Sequence, residues 1–250
     1  MSFKDHFSRQ ANDYARYRPN YPEALFDWLA QVAPSRVLAL DVATGNGQAA
    51  VALAQRFERV IATEPSATQI ANAEQRANID YRQEPAEAMS ALDASVDVLT
   101  VAQALHWFDL PDFMLESTRV LKPGGVLAVW CYEVFSCEPE VDALVSHFYH
   151  QVIGPYWPPE RRWIEQGYAG LELPYADIAT PSLDMSLQWD LDALVGYLGT
   201  WSATQRYRQS KGVDPLPALA QQLAAVWGDP AVAKTVSWPL KLRACRKPVP

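Results

Sequence analysis

Between residues 37 and 131, short apolar runs alternate with segments whose apolar residues recur at helical spacing, and no other feature of the sequence restricts the fold as much. The runs 37–42, 60–63, 96–102 and 126–131 are rich in Val, Leu, Ile and Ala and carry few polar residues, as strands buried on both faces do. Between them, Ala50, Leu53, Ala54 and Phe57 share one helical face, Ile70, Ala73 and Ala77 a second, and Phe113, Ser117, Val120 and Leu121 a third. Strands that alternate with helices predict an α/β fold, a mostly parallel sheet with helices on both faces. Lys122-Pro123-Gly124-Gly125 stops the last of these helices and turns the chain into the next strand.

The pattern breaks in the second half. Residues 136–181 are rich in Trp, Tyr and Pro and read as an insertion or lid; beyond them lie strands at 185–189 and 236–244 and helices near 190–208 and 215–227. The opening residues 3–28 read as one or two helices, with a rigid corner at Arg18-Pro19-Asn20-Tyr21-Pro22. A chain of 250 residues, 49% hydrophobic, suffices for one core. The division expected is a single domain: a helical cover (1–34), a ligand-binding half (35–132), the insertion (133–183), and C-terminal strands and helices (184–250).

Charge and cysteines exclude several classes. A net charge of -8 repels phosphate backbones, so no nucleic-acid partner is expected. Cys131, Cys137 and Cys245 are odd in number and fit neither a zinc site nor a disulfide framework, so they read as reduced thiols of a cytoplasmic protein. The opening has no apolar leader and no segment is long enough to span a bilayer, so no membrane partner is expected. His147 and His150 share a helical face, but nothing completes a metal site around them. Lys241, Arg243, Arg246 and Lys247 mark an edge or a solvated face.

The run Leu38-Ala39-Leu40-Asp41-Val42-Ala43-Thr44-Gly45-Asn46-Gly47-Gln48 carries the first chemical signal. A buried strand ends in a tight turn that opens a helix. Gly45 and Gly47 permit positive φ and close approach of a ligand, and Asp41 at the strand's carboxyl end would face the crevice, where it could bind a cationic amine directly or through water. About 20 residues on, Ile61-Ala62-Thr63-Glu64-Pro65-Ser66 places Glu64 at the end of the second strand, where a carboxylate can accept both hydroxyls of a ribose. NAD-binding proteins share that device, so these residues point to an adenosine ligand without naming it. The alternative is a helix N-terminus, with Ser66 capping and Glu64 solvated.

A third block separates the alternatives. The strand 96–102 runs into Gln103-Ala104-Leu105-His106-Trp107-Phe108, followed by a helix and Leu121-Lys122-Pro123-Gly124-Gly125. In order and spacing, residues 35–131 resemble the class I S-adenosylmethionine-dependent methyltransferases. The resemblance implies a Rossmann-like seven-stranded sheet, with 236–244 an antiparallel strand inserted beside the others and a helical, aromatic insertion over the active site. It implies S-adenosylmethionine as cofactor and S-adenosylhomocysteine as product. Asp41, Ala43, Gly45, Asn46 and Gly47 match the glycine motif, Glu64, Pro65 and Ser66 the ribose-binding block, and Pro85-Ala86-Glu87 the adenine-binding loop. Gln69 stands where the family often carries methionine against the adenine. Gln103, Ala104 and His106 follow the fourth strand, and Tyr14 and Arg18 belong to the segment that folds over the cofactor. Ala43 replaces a common glycine; if it keeps negative φ, only slight crowding is expected.

A narrower resemblance, to the trans-aconitate methyltransferases, lies in Arg18-Pro19-Asn20-Tyr21-Pro22, Ala104-Leu105-His106-Trp107-Phe108-Asp109, Gly154-Pro155-Tyr156-Trp157 and Thr200-Trp201-Ser202-Ala203. It implies a small carboxylic acid as the methyl acceptor. A carboxylate is ionised at neutral pH and needs no general base, whereas a hydroxyl or amine would; His106 is the candidate base, or else it shapes its loop by bonding to the backbone. Tyr17, Tyr21, Trp107, Tyr156, Trp157, Trp201 and Arg206 are the candidate acceptor wall. Arg18, then Arg206, then Arg161, are the arginines expected to orient an acid, with Arg162 a further candidate. The alternatives are an acceptor hydroxyl or amine, a nucleic-acid or protein substrate, or a cofactor-binding sensor without catalysis. The loop at 102–105 lacks the Asn/Asp-Pro-Pro-aromatic motif of exocyclic-amine methyltransferases. A monomer or homodimer is expected, with a small molecule as its partner.

Overall fold

The computed structural model describes residues 19–250. After helix α1 (Glu23–Val32) the chain alternates as the sequence predicts: β1 (Leu38–Val42), α2 (Gln48–Ala54), β2 (Arg59–Thr63), α3 (Ala67–Ala71), β3 (Ile79–Arg82), β4 (Val96–Ala102), α4 (Leu110–Val120) and β5 (Leu121–Tyr132). The insertion holds α5 (Pro139–His147), a π-helical turn, two short 3-10 turns and the one-turn α6 (Arg162–Glu165). Then follow β6 (Leu183–Trp189), α7 (Leu191–Gly199), α8 (Ser202–Lys211), α9 (Leu216–Trp227) and β7 (Lys234–Arg246). The strands form one seven-stranded sheet in the order β3-β2-β1-β4-β5-β7-β6. β1 pairs in parallel with β2 and β4, and β4 with β5, whereas β7 runs antiparallel between β5 and β6. The mostly parallel α/β sheet expected from the alternation, and the Rossmann-like seven-stranded form implied by the resemblance, are both observed.

Side chains on alternating strand positions feed two cores, one per sheet face. Ala39, Val60, Ala62, Val98, Val126, Ala128 and Trp130 pack with α1, α2, α7 and α9. Leu40, Val42, Ile61, Leu99, Val101, Leu127 and Val129 pack with α4. Each buried Val, Leu or Ile among them contributes about 1.5–3 kcal/mol. The insertion supplies both layers, through Val141, Val145 and Phe148 on one face and Ile164, Tyr168 and Leu171 on the other. At the amino end of the sheet, fully buried Asp97 accepts from Ser35 Oγ (2.7 Å), Val37 N (3.1 Å), Leu38 N (2.9 Å) and Lys122 Nζ (2.7 Å). That carboxylate ties three segments together far from the crevice.

Several elements differ from the sequence reading. β3 is an edge strand of alternating, half-buried residues, so it carries no apolar run to betray it. The helix expected over 190–208 is two helices. Thr200 Oγ1, Thr204 Oγ1 and Gln205 Nε2 donate to the carbonyls of Tyr197 (2.7 Å), Leu198 (2.9 Å) and Gly199 (2.7 Å), which satisfies the end of α7 and lets the chain turn at Trp201. β7 is an inner strand, so its basic residues mark no edge: Arg243 binds Asp177 (2.8 Å) and the Tyr168 carbonyl (3.0 Å), and Lys247 binds the Thr118 and Leu121 carbonyls (2.6 and 2.8 Å). Among the described residues, no helix is long and apolar enough to cross a membrane.

Candidate active site

The order of the sheet changes direction between β1 and β4, and in open α/β sheets the crevice beyond the carboxyl ends at such a point is where ligands bind. β1 ends there in the glycine turn. Ala43, Gly45 and Gly47 all have positive φ, at 55°, 60° and 85°. Ala43 therefore departs from the negative φ expected of it: the turn is closed by Thr44 N donating to the Thr63 carbonyl (3.0 Å) and Gly47 N to the Thr44 carbonyl (3.0 Å), and that geometry holds Ala43 left-handed despite its methyl group. A Cβ on Gly47 would lie 2.3 Å from Tyr81 Oη, whereas one on Gly45 would meet nothing within 4 Å. Gly45 thus faces open space and Gly47 is covered. Asn46 is half-buried in the same turn.

Asp41 does not open onto the crevice as expected. It is fully buried, and its two oxygens accept from Thr44 Oγ1 (2.5 Å) and Thr100 Oγ1 (2.7 Å). Burial pushes its carboxyl up to about 6, against the lowering effect of the two hydroxyls. Glu64 is also buried; its oxygens accept from Gly45 N (3.0 Å) and Ser66 N (3.0 Å), which ties the glycine turn to the start of α3. Ser66 caps that helix, its Oγ accepting from Gln69 N at 3.3 Å, while Pro65 precedes it and Gln69 is buried. Of the capping alternative, the Ser66 cap is observed, whereas Glu64 is buried and hydrogen-bonded rather than solvated. Ala86 is buried, and Glu87 Oε1 accepts from Asp109 N (2.8 Å), fastening the 85–87 loop to the start of α4.

Beyond β4 the backbone turns again through a left-handed residue, Gln103 (φ 56°). Its side-chain amide donates to the Tyr132 carbonyl and accepts from Tyr132 N, both at 3.2 Å. Buried Ala104 leads into a 3-10 turn, Leu105–Trp107. His106 Nδ1 lies 3.2 Å from Tyr168 Oη, and its ring packs against Trp107 with centroids 4.6 Å apart. Burial, helped by the Arg161 charge, lowers His106 to about 3, so the imidazole is neutral across the physiological range.

His106 and Trp107 line a cavity with Trp157, Arg161 and Trp201, and with Gln103, Tyr132, Glu133 and Tyr197. Arg161 lies over the Trp157 ring (4.6 Å) and donates from Nε to Tyr149 Oη (2.9 Å), which is 2.6 Å from Glu165 Oε1. The other proposed wall residues fall elsewhere. Tyr156 packs on Tyr207 (5.2 Å), with Arg206 Nη1 3.5 Å from its carbonyl, and Tyr21 stands edge-on to Trp130 (5.4 Å). Arg162 is exposed over Trp163. Tyr14, Tyr17 and Arg18 lie outside the described residues. Glu133, Tyr149 and Tyr168 were not singled out in the sequence and lie in no motif; Glu133 directly follows β5, whereas the wrapping of the insertion brings Tyr149 and Tyr168 to the site.

Known proteins agree with this geometry. Residues 40–129 match the family model described as a methyltransferase domain. A Dictyostelium discoideum protein provisionally named a methyltransferase is 35% identical over 225 residues, 88% of this chain and 86% of its own length. A solved structure from Anaeromyxobacter dehalogenans, provisionally described as a type II methyltransferase, is 45% identical with a TM-score of 0.87, covering 94% of this chain and all (100%) of that one. The fold is shared at 18% identity and a TM-score of 0.52 with a Haemonchus contortus phosphoethanolamine N-methyltransferase, solved with S-adenosylhomocysteine and phosphomonomethylethanolamine; the match covers 99% of this chain and 60% of that one. Sheet order, glycine turn and relatives together establish that the chain belongs to the class I S-adenosylmethionine-dependent methyltransferases.

Proposed function

We propose that this enzyme, acting as one domain, methylates a carboxylate oxygen of a small molecule. S-adenosylmethionine supplies an activated methyl group on its sulfonium, so the protein's part is to bind, orient and exclude water. The crevice fits such a group: Gly45 faces open space, and Glu64 is fixed directly beside it. Gly45, Asn46 and Gly47 would hold the amino-acid and ribose portion, Glu64 the ribose hydroxyls, and Gln69, Ala86 and Glu87 the adenine side. Asp41 acts from beneath, by fixing Thr44 in the turn. Tyr14 and Arg18 remain expectations from the family resemblance.

The observation that carries the acceptor reading is Arg161, a guanidinium placed among Trp157, Trp201 and His106 in the cavity beside the end of β4. Its planar fork suits a carboxylate, and the aromatic walls exclude water around a sulfonium and can steady its charge. His106, lowered to about 3, is too weak a base to deprotonate a hydroxyl or an ammonium, and a carboxylate asks for no base. Arg161 therefore moves ahead of Arg18 and Arg206 as the arginine that orients the acid. We assign His106 the role of shaping the loop through Tyr168.

The test is methyl transfer to a panel of small carboxylic acids, phenols and amines, read as S-adenosylhomocysteine release and product mass. Acids should be methylated, and Arg161→Gln should raise KM for them while leaving the melting temperature and S-adenosylhomocysteine affinity in place. Transfer to phenols or amines alone, or an Arg161→Gln enzyme with unchanged kinetics on acids, refutes the reading. A protein that binds cofactor but releases no S-adenosylhomocysteine with any acceptor would be the sensor instead.

A further inference from the structure

The cavity holds a second charge. Glu133, just past the end of β5, lines it together with Arg161. Opposite charges in one aromatic-walled cavity attract strongly, and if they served stability alone they would pair. They do not: among the described residues neither forms an ion pair with the other or with any other side chain. Arg161 is held by other means, from Nε to Tyr149 Oη (2.9 Å), which is itself bonded to Glu165 (2.6 Å), with the guanidinium over Trp157 at 4.6 Å and Tyr149 at 5.6 Å. That chain immobilises the guanidinium in advance and leaves its two terminal NH2 groups for a ligand, so little rotamer freedom is lost on binding.

We propose that the acceptor is a short zwitterion, whose acid end is taken by Arg161, held in place by Tyr149 and Glu165, and whose cationic end is taken by Glu133. This rests on the acid-acceptor reading above and narrows it. Selectivity follows from the same geometry. A plain acid would leave the Glu133 carboxylate facing apolar chain, and a plain amine would leave Arg161 without an anion; each loses a charge-assisted contact that the zwitterion makes. The amino-acid end of the cofactor is also a zwitterion, and the test has to separate that source from the acceptor.

The measurement compares γ-aminobutyrate with its uncharged-end analogue pentanoate and with pentylamine, along with the shorter pair β-alanine and butyrate, in native enzyme and in Glu133→Gln. Each compound is assayed for turnover and, by calorimetry, for binding to the S-adenosylhomocysteine complex. The expected result is a kcat/KM about tenfold or more higher for a zwitterion than for its matched acid, a ratio that Glu133→Gln brings near one without moving the melting temperature. A native ratio near one, or a ratio indifferent to Glu133→Gln, overturns the inference while the acid-acceptor reading stands. Turnover of amines alone removes the acid-acceptor reading as well. If Glu133→Gln weakens S-adenosylhomocysteine and leaves acceptor KM unchanged, Glu133 serves the cofactor and the inference falls. It falls too if no zwitterion of either length binds or reacts.

Discussion

Ala43 offers the sharpest test of the glycine turn. An alanine at φ 55° places its Cβ against the following carbonyl, at a cost of about 1–2 kcal/mol. Replacing it with glycine removes that strain but adds about 0.5–1 kcal/mol of chain entropy to the unfolded state. It also gives up part of a methyl group worth about 0.8 kcal/mol when fully buried, and Ala43 is only partly buried against the core. The terms nearly balance, so Ala43→Gly should leave stability unchanged or raise it by about 0.5 kcal/mol. For a chain of this size that is a rise in melting temperature of about 1–2 °C. Ala52, half-buried inside α2, is the control: there the same exchange should cost about 1 kcal/mol. Ala43→Val should cost about 2 kcal/mol or more, because a β-branched residue resists left-handed backbone. Urea unfolding of the three variants, with calorimetric titration of S-adenosylhomocysteine, measures all of this. If Ala43→Gly destabilises as much as Ala52→Gly, or if valine is accepted, Ala43 is not left-handed and the account of the turn is wrong.

Four further outcomes follow from particular contacts. Asp97→Asn should cost about 3–5 kcal/mol in urea unfolding, because Lys122 loses its partner, while S-adenosylhomocysteine affinity per folded molecule stays unchanged. Gly47→Ala should weaken S-adenosylhomocysteine at least tenfold in calorimetry, and a second change, Tyr81→Ala, should restore part of the loss by removing the ring that the new methyl group strikes. His106, lowered in the folded state to about 3, contributes stability that is present above its unfolded value of 6.5 and is lost as pH falls toward 3. His106→Asn should flatten that acid-side decline in melting temperature, and native kcat/KM should show no inflection from this residue between pH 6 and 8. Tyr149→Phe should raise KM for acids severalfold, since Arg161 loses the hydroxyl that holds it, with S-adenosylhomocysteine binding unmoved.

The parallel half of the sheet was legible because each of its inner strands is buried on both faces and so had to be an apolar run. β3 was not, because an edge strand with Asp80 and Arg82 bonded to each other at 2.6 Å needs no such run. The glycine turn and Glu64 were legible from strand-end position alone, but burial was not, so Asp41 read as facing the crevice although two threonine hydroxyls enclose it. On the acceptor side, Trp157 was legible as a bulky aromatic of the insertion and Trp201 as one on the helix expected near 190–208. Which arginine joined them was not. Arg161 and Arg206 have the same chemistry, and only the turns of the insertion send one into the cavity and leave the other 3.5 Å from the Tyr156 carbonyl.

The two left-handed residues at the switch point explain how the crevice stays open. Ala43 follows β1 and Gln103 follows β4, the adjacent strands at which the sheet order changes direction. In the register that pairs Ala102 with Trp130, a straight β4 would set Gln103 beside Cys131 and Ala104 beside Tyr132. Instead Gln103 N makes the last ladder bond, to the Trp130 carbonyl (2.9 Å), and the main chain departs. The side chain then takes the place of the missing residue, its amide giving the Tyr132 peptide both a donor and an acceptor at 3.2 Å. A buried peptide left without those bonds would cost about 1–3 kcal/mol for each group, comparable to the strain of a left-handed non-glycine residue. Glutamine meets that need with its own side chain, because its amide presents the same donor and acceptor as a peptide. The strain at Gln103 is thereby offset within one residue, β5 is carried to Tyr132 next to Glu133, and the end of β4 is left free to turn His106 and Trp107 toward Arg161.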